Sequence, residues 1–120
     1  MIRFSPAAYQ KIVYFLQKDV EVGGFCLTDG DLVTDFIVVE QESSGATFDF
    51  TKEGIEDYLD EMTNLGYPPK ECFRIYLHSH PGNSAEPSGP DWENFYKLMG
   101  SYPWFCMLII AKDQSKYGYI

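Results

Sequence analysis

Apolar residues recur along this chain in two periods, and the switches between them divide it into elements. Tyr9, Ile12, Val13 and Leu16 fall at helical spacing behind Ser5 and Pro6, an N-cap and first-turn pair, so a helix opens there and its pattern ends near Lys18. Val20 to Thr28 reads as a strand, Asp29-Gly30 as a tight turn, and Leu32 to Glu40 as the return strand through the core. Glu40 to Gly45 is a polar loop or strand end, followed by a short strand around Phe48-Asp49-Phe50. Thr51 caps a second helix with Ile55, Tyr58, Leu59, Met62 and Leu65 on one stripe and Gly66 at its end. Its other side carries Glu53, Glu56, Asp57, Asp60 and Glu61, the composition of a solvated face. Tyr67-Pro68-Pro69 connects to a strand that runs from Phe73 to Leu77. After a loop of Gly, Asn, Ser and Pro, the positions Trp92, Phe95, Tyr96 and Met99 predict a third helix ending at Gly100. Trp104 to Ala111 is almost continuously apolar, as a central strand covered on both faces would be. Asp113-Gln114-Ser115 then turns the chain into a last segment, Tyr117 to Ile120. The order α-β-β-β-α-β-α-β-β predicts an α/β fold, a mixed sheet with helices on its faces.

With 120 residues the chain suits one domain, 1–120, with a single core. Hydrophobic content of 45% argues for a folded domain over a disordered one. Nine basic residues against eighteen acidic ones leave a net charge of −9, which repels a phosphate backbone and disfavours nucleic acid as a partner. Cys26, Cys72 and Cys106 lie in or beside apolar runs. An odd number without framework spacing predicts buried free thiols in a reducing cytoplasm. The first residues lack the apolar core of a signal peptide and no run approaches about 18 apolar residues, so a cytoplasmic protein without membrane spans is expected.

The chemistry concentrates in one stretch. Both histidines of the chain stand at the end of the 73–77 strand, as His78-Ser79-His80-Pro81. Side chains alternate along a strand, so His78 and His80 share a face and Ser79 points to the other. Asp91 follows eleven residues later, in the first turn of the third helix. Two imidazoles and one carboxylate, with a fourth position left to water, form the ligand set of a catalytic zinc site. Each half has a plainer reading. Ser88-x-x-Asp91 is also a capping box, and paired histidines at a strand end can be hydrogen-bonded rim residues. The complete spacing, His-x-His-x7-Ser-x2-Asp, is far more restrictive than either half.

That spacing resembles the motif of the JAMM (MPN-plus, JAB-domain) metalloproteases without gap or substitution. Glu21-Val22-Gly23-Gly24-Phe25-Cys26-Leu27 is similar to the family's upstream segment, in which a glutamate precedes a glycine-containing apolar run. The resemblance spans essentially the whole chain. It implies a cytidine-deaminase-like α/β fold and one zinc ion with a bound water, held by His78, His80 and Asp91. It further implies peptidase or isopeptidase activity on the C-terminal tail of a ubiquitin-like or sulfur-carrier protein, the enzyme being a compact prokaryotic-type member. Binding of that tail as an added strand beside a sheet edge is the expected mode.

The general base is open on chemistry alone, since Glu21, Glu40, Glu42, Glu86 and Glu93 all offer carboxylates. Glu86 lies within the motif loop. Glu21 matches the family position, and a rigid strand end holds a base better than a Gly/Pro loop. Ser88 matches the family's oxyanion donor, a role that competes with helix capping unless the two use different groups of the side chain. Ser79 is expected to support the site through hydrogen bonds behind it. The alternative from another class is an MPN-type scaffold that binds partners without catalysis, although such relatives usually lack ligand residues that this chain retains.

Overall fold

A computed structural model describes residues 2–43, 48–68, 72–98 and 106–119. The chain order is β1 (Arg3–Phe4), α1 (Pro6–Leu16), β2 (Gly23–Asp29), β3 (Leu32–Val38), β4 (Gln41–Ser43), β5 (Phe48–Phe50), α2 (Lys52–Asn64), β6 (Ile75–His80), α3 (Gly89–Leu98), β7 (Cys106–Ala111) and β8 (Lys116–Tyr119). Six strands form one mixed sheet in the order β1-β3-β2-β6-β7-β8, while β4 and β5 pair as a separate hairpin. β6 runs antiparallel to β2 and parallel to β7, which places it in the middle of the sheet.

The helices begin where their caps require. The Ser5 hydroxyl accepts the Ala8 N–H and the Thr51 hydroxyl accepts the Gly54 N–H, each satisfying an orphan donor of a first turn. Helix α2 closes at Leu65, and Gly66 takes the positive φ of 89° that a side chain would resist. Two apolar clusters cover the two faces of the sheet. Ala8, Ile12 and Leu16 of α1 pack on Cys26, Val33, Phe36, Ile75, Leu77 and Ile110. Tyr58 and Met62 of α2 and Phe95 of α3 pack with Phe25, Tyr76, Met107 and Ile109 on the other. Strand β6 therefore sends Ile75 and Leu77 towards α1 and Tyr76 towards α2 and α3, the period of two that also sorts His78 and His80 from Ser79.

Three sequence expectations are corrected. The polar stretch after Glu40 opens as strand β4, and Arg3–Phe4 adds a short strand parallel to β3 at the sheet edge, where Phe4 pairs Val33. β2 starts at Gly23 rather than Val20, because the ladder with β6 begins at the pair Gly23 and His78. Glu21 thus precedes the strand instead of ending it. Cys26, Cys72 and Cys106 are buried free thiols, as their apolar surroundings predict. The expectations for Ser44, Gly45, Pro69, Met99, Gly100, Trp104 and Ile120 lie outside the described residues. Among the described residues, no helix is long and apolar enough to cross a membrane.

Candidate metal centre

Strand alternation delivers the two imidazoles. Tyr76, His78 and His80 form a line on one face of β6, with Tyr76 and His78 stacked at 5.2 Å and the two imidazole centroids 5.1 Å apart. The carboxylate arrives on α3, whose first turn is pinned from two sides. Trp92 and Phe95 meet the Tyr119 ring of β8 edge-on at 4.9 and 5.3 Å. At the helix start, the Ser88 N–H donates to Asp91 Oδ2 at 2.8 Å and the Asp91 N–H donates to Ser88 Oγ at 3.3 Å. Asp91 Oδ2 thus closes the capping box and faces His80 at the same time. Asp91 divides its carboxylate between the histidines, with Oδ1 2.9 Å from His78 Nε2 and Oδ2 3.1 Å from His80 Nε2.

Glu21 completes the group. Its Oε1 lies 3.9 Å from His78 Nε2 and 3.8 Å from His80 Nε2, and it is a buried oxygen with no hydrogen-bond partner. One donor atom from each of Glu21, His78, His80 and Asp91 falls within 4.8 Å of all the others. Ligands about 2.0–2.1 Å from a tetrahedral ion stand about 3.3 Å from one another, so this spacing is of the right size for a cation between them. Glu86, Glu40, Glu42 and Glu93 are exposed and stand outside the group.

Protonation logic also favours a cation. His80 Nδ1 faces the Ser84 carbonyl oxygen at 2.9 Å. A carbonyl only accepts, so Nδ1 carries hydrogen and the neutral ring presents a lone pair at Nε2. That lone pair points at the Asp91 carboxylate, an arrangement of two acceptors that needs a proton or a metal ion to hold it. Burial by itself lowers the His80 pKa, but hydrogen bonds to Asp91 and Ser84 and the charges of Asp91 and Glu21 outweigh it and raise the value. His78, more deeply buried, is lowered despite Asp91 and stays neutral, the form in which imidazole ligates metal. For Asp91, burial pushes upward, yet the two imidazoles beside it and the Ser88 N–H outweigh that and hold its carboxyl well below the usual range. Glu21 goes the other way, pushed up to about 7 by burial first and by the Asp91 charge second, with His80 opposing. Two neighbouring carboxylates thus have pKa values driven in opposite directions by their surroundings.

The segment bearing Glu21 is held by side chains as well as by the ladder. Ser79, on the reverse face of β6, accepts the Val22 N–H at its hydroxyl at 2.9 Å and donates its own N–H to the Val22 carbonyl at 2.8 Å. Gln41 of β4 accepts the Gly23 N–H at 2.8 Å and donates to the carbonyls of Gly23 and Val39 at 2.7 Å each. Residue types in the sequence point to Ser79 but not to Gln41, whose only signal is a place in a polar run. Gly24 lets β2 approach β3, since a Cβ there would lie 2.1 Å from the Ile37 carbonyl oxygen.

No curated protein sequence matches the chain significantly. Among solved structures, it is similar to the solution structure of protein DSY2949 from Desulfitobacterium hafniense, with a TM-score of 0.65 and 20% identity over 98% of this chain and 81% of that one. That likeness establishes the fold, a curled mixed sheet with helices on its faces, three of them among the described residues. The family described as prokaryotic homologs of the JAB domain matches residues 7–118, from the first helix into the last strand. By that match the chain belongs to the family of prokaryotic JAB-domain proteins.

Proposed function

We propose that this protein is a zinc peptidase or isopeptidase that acts on the C-terminal tail of a ubiquitin-like or sulfur-carrier protein in the cytoplasm. The observation that carries the reading is the convergence of Glu21, His78, His80 and Asp91, with a buried Glu21 oxygen left without a hydrogen-bond partner. His78 Nε2, His80 Nε2 and an Asp91 oxygen would hold the ion, and the Ser84 carbonyl fixes the tautomer that His80 needs. When bound, zinc supplies Lewis-acid polarisation and lowers the pKa of water towards about 7.

The chain's own groups supply proton handling. Glu21 Oε1 takes a proton from the attacking water and gives it to the leaving amine, a task suited to a buried carboxyl oxygen 3.9 and 3.8 Å from the two imidazole nitrogens. Ser88 Oγ accepts the Asp91 N–H through a lone pair, so its hydroxyl hydrogen stays available for the oxyanion. Capping and catalysis use different groups of one side chain. The chain's net charge of −9 suits a carrier with a basic face.

The test has two stages. Purified protein should bind near-stoichiometric zinc, lost in His78→Ala and Asp91→Ala. The zinc-loaded protein should release a reporter from one of a panel of ubiquitin-like domains carrying C-terminal fusions, and Glu21→Gln should keep zinc while losing turnover. Folded protein that takes up no zinc would indicate a scaffold module, and parental turnover by Glu21→Gln would remove Glu21 as the base.

A further inference from the structure

We infer that Gln41 and Ser79 are positioning residues that aim Glu21 by clamping the backbone that follows it. The inference rests on the reading of Glu21 as the proton carrier. Glu21 lies two residues before β2, where backbone bonding to β6 ends with the Ser79 N–H to the Val22 carbonyl, so side-chain bonds supplement strand pairing in fixing its position. The backbone polar groups of both residues that follow it are hydrogen-bonded. Ser79 takes the N–H and the carbonyl of Val22, and Gln41 takes the N–H and the carbonyl of Gly23. The second amide hydrogen of Gln41 goes to the Val39 carbonyl, which ties the clamp to the end of β3. With one oxygen accepting and two hydrogens donating, the amide has a single workable orientation, because its reverse would set an oxygen against two carbonyls.

The two jaws connect to different structures. Ser79 lies between the two histidines on β6 and couples the Glu21 segment to the strand that bears them. Gln41 belongs to the β4–β5 hairpin, outside the main sheet, and couples it to an element whose described residues are not among the four clustered ones. Loosening either jaw should displace Glu21 relative to the site while leaving His78, His80 and Asp91 in place. A displacement of about 1 Å can cost about 100-fold in rate.

Gln41→Met keeps the side-chain length and removes the three amide hydrogen bonds described above, and Ser79→Ala removes the hydroxyl contact of the second jaw while its backbone N–H bond to the Val22 carbonyl stays. Amide hydrogen exchange at Val22 and Gly23 should accelerate at least about tenfold in Gln41→Met, in both metal-free and zinc-loaded protein. Zinc affinity should stay within about threefold of the parent. With the fusion cleaved by the parent, kcat should fall at least about tenfold in either variant while KM stays within about twofold, and Ser79→Thr, which retains the hydroxyl, should restore most of it. Introduced into Glu21→Gln, the Gln41→Met change should cost no further turnover, which a merely structural role would not produce. Unchanged exchange at both amides, kcat within twofold of the parent, or a full additional loss in the Glu21→Gln background each overturns the inference. Parental turnover by Glu21→Gln alone shows that the base assignment has failed, and the inference falls with it, before any Gln41 variant is measured.

Discussion

Replacing Glu21 by glutamine in the metal-free protein isolates the energetic cost of burying that carboxyl beside Asp91. The group is 3% exposed and its pKa rises from 4.5 to about 7. A raised folded-state value means that the folded protein keeps a proton which the unfolded chain releases between those limits. Stability from this group is therefore complete below about pH 4.5 and is lost as pH climbs to 7. A shift of that size corresponds to roughly 3 kcal/mol once the carboxyl is ionised in both states. Glutamine has the same shape and does not titrate, so Glu21→Gln escapes the loss. Between pH 5 and 8 the variant should gain roughly 2–3 kcal/mol relative to the parent, whatever constant offset the substitution brings. Urea denaturation in the presence of a chelator, repeated across that range, reads this as a relative shift in midpoint of at least about 1 M for ordinary m-values. Asp91 and the histidines titrate in both proteins, so to first order they drop out of the difference. Saturating zinc should shrink the gap, since a nearby cation favours the carboxylate. A difference independent of pH, or one that favours the parent at high pH, would refute the burial argument for Glu21.

Three further outcomes follow from the same geometry. Zinc at a hundredfold excess over its dissociation constant should stabilise the parent by about 2.7 kcal/mol, and Asp91→Ala should show no zinc-dependent gain in a thermal melt. Ser88→Ala should lose about 1 kcal/mol of stability through the helix cap and, in turnover of the cleaved fusion, about 100-fold or more through the missing oxyanion donor; a loss of stability alone would leave Ser88 with its capping role only. Gly24→Ala places a methyl 2.1 Å from the Ile37 carbonyl oxygen, so strands β2 and β3 must separate, and circular dichroism melts should show a loss of about 3 kcal/mol or failure to fold.

Local pattern carried most of the fold. Helical spacing around Ile12, around Tyr58 and Met62, and around Trp92 marked α1, α2 and α3, because each buries a single face against the sheet. Strand alternation placed His78 and His80 together and Ser79 behind them, and the spacing to Asp91 matched a helix start. These are properties of a few consecutive residues, which a sequence states directly. Short edge pairing is different: Arg3–Phe4 becomes a strand only because β3 offers it an open edge.

What tertiary structure alone decided was which carboxylate joins Asp91 and the histidines, and the way that one is held. Glu21 and Glu86 are equivalent as residue types. The folded chain buries one beside the histidines and leaves the other in solvent, and burial next to Asp91 is what moves the Glu21 pKa. The roles of the Ser84 carbonyl and of the Gln41 amide are just as invisible in the sequence. A backbone oxygen has no residue identity, and one glutamine in a polar run becomes a clamp only where two distant peptide groups meet it at bonding distance.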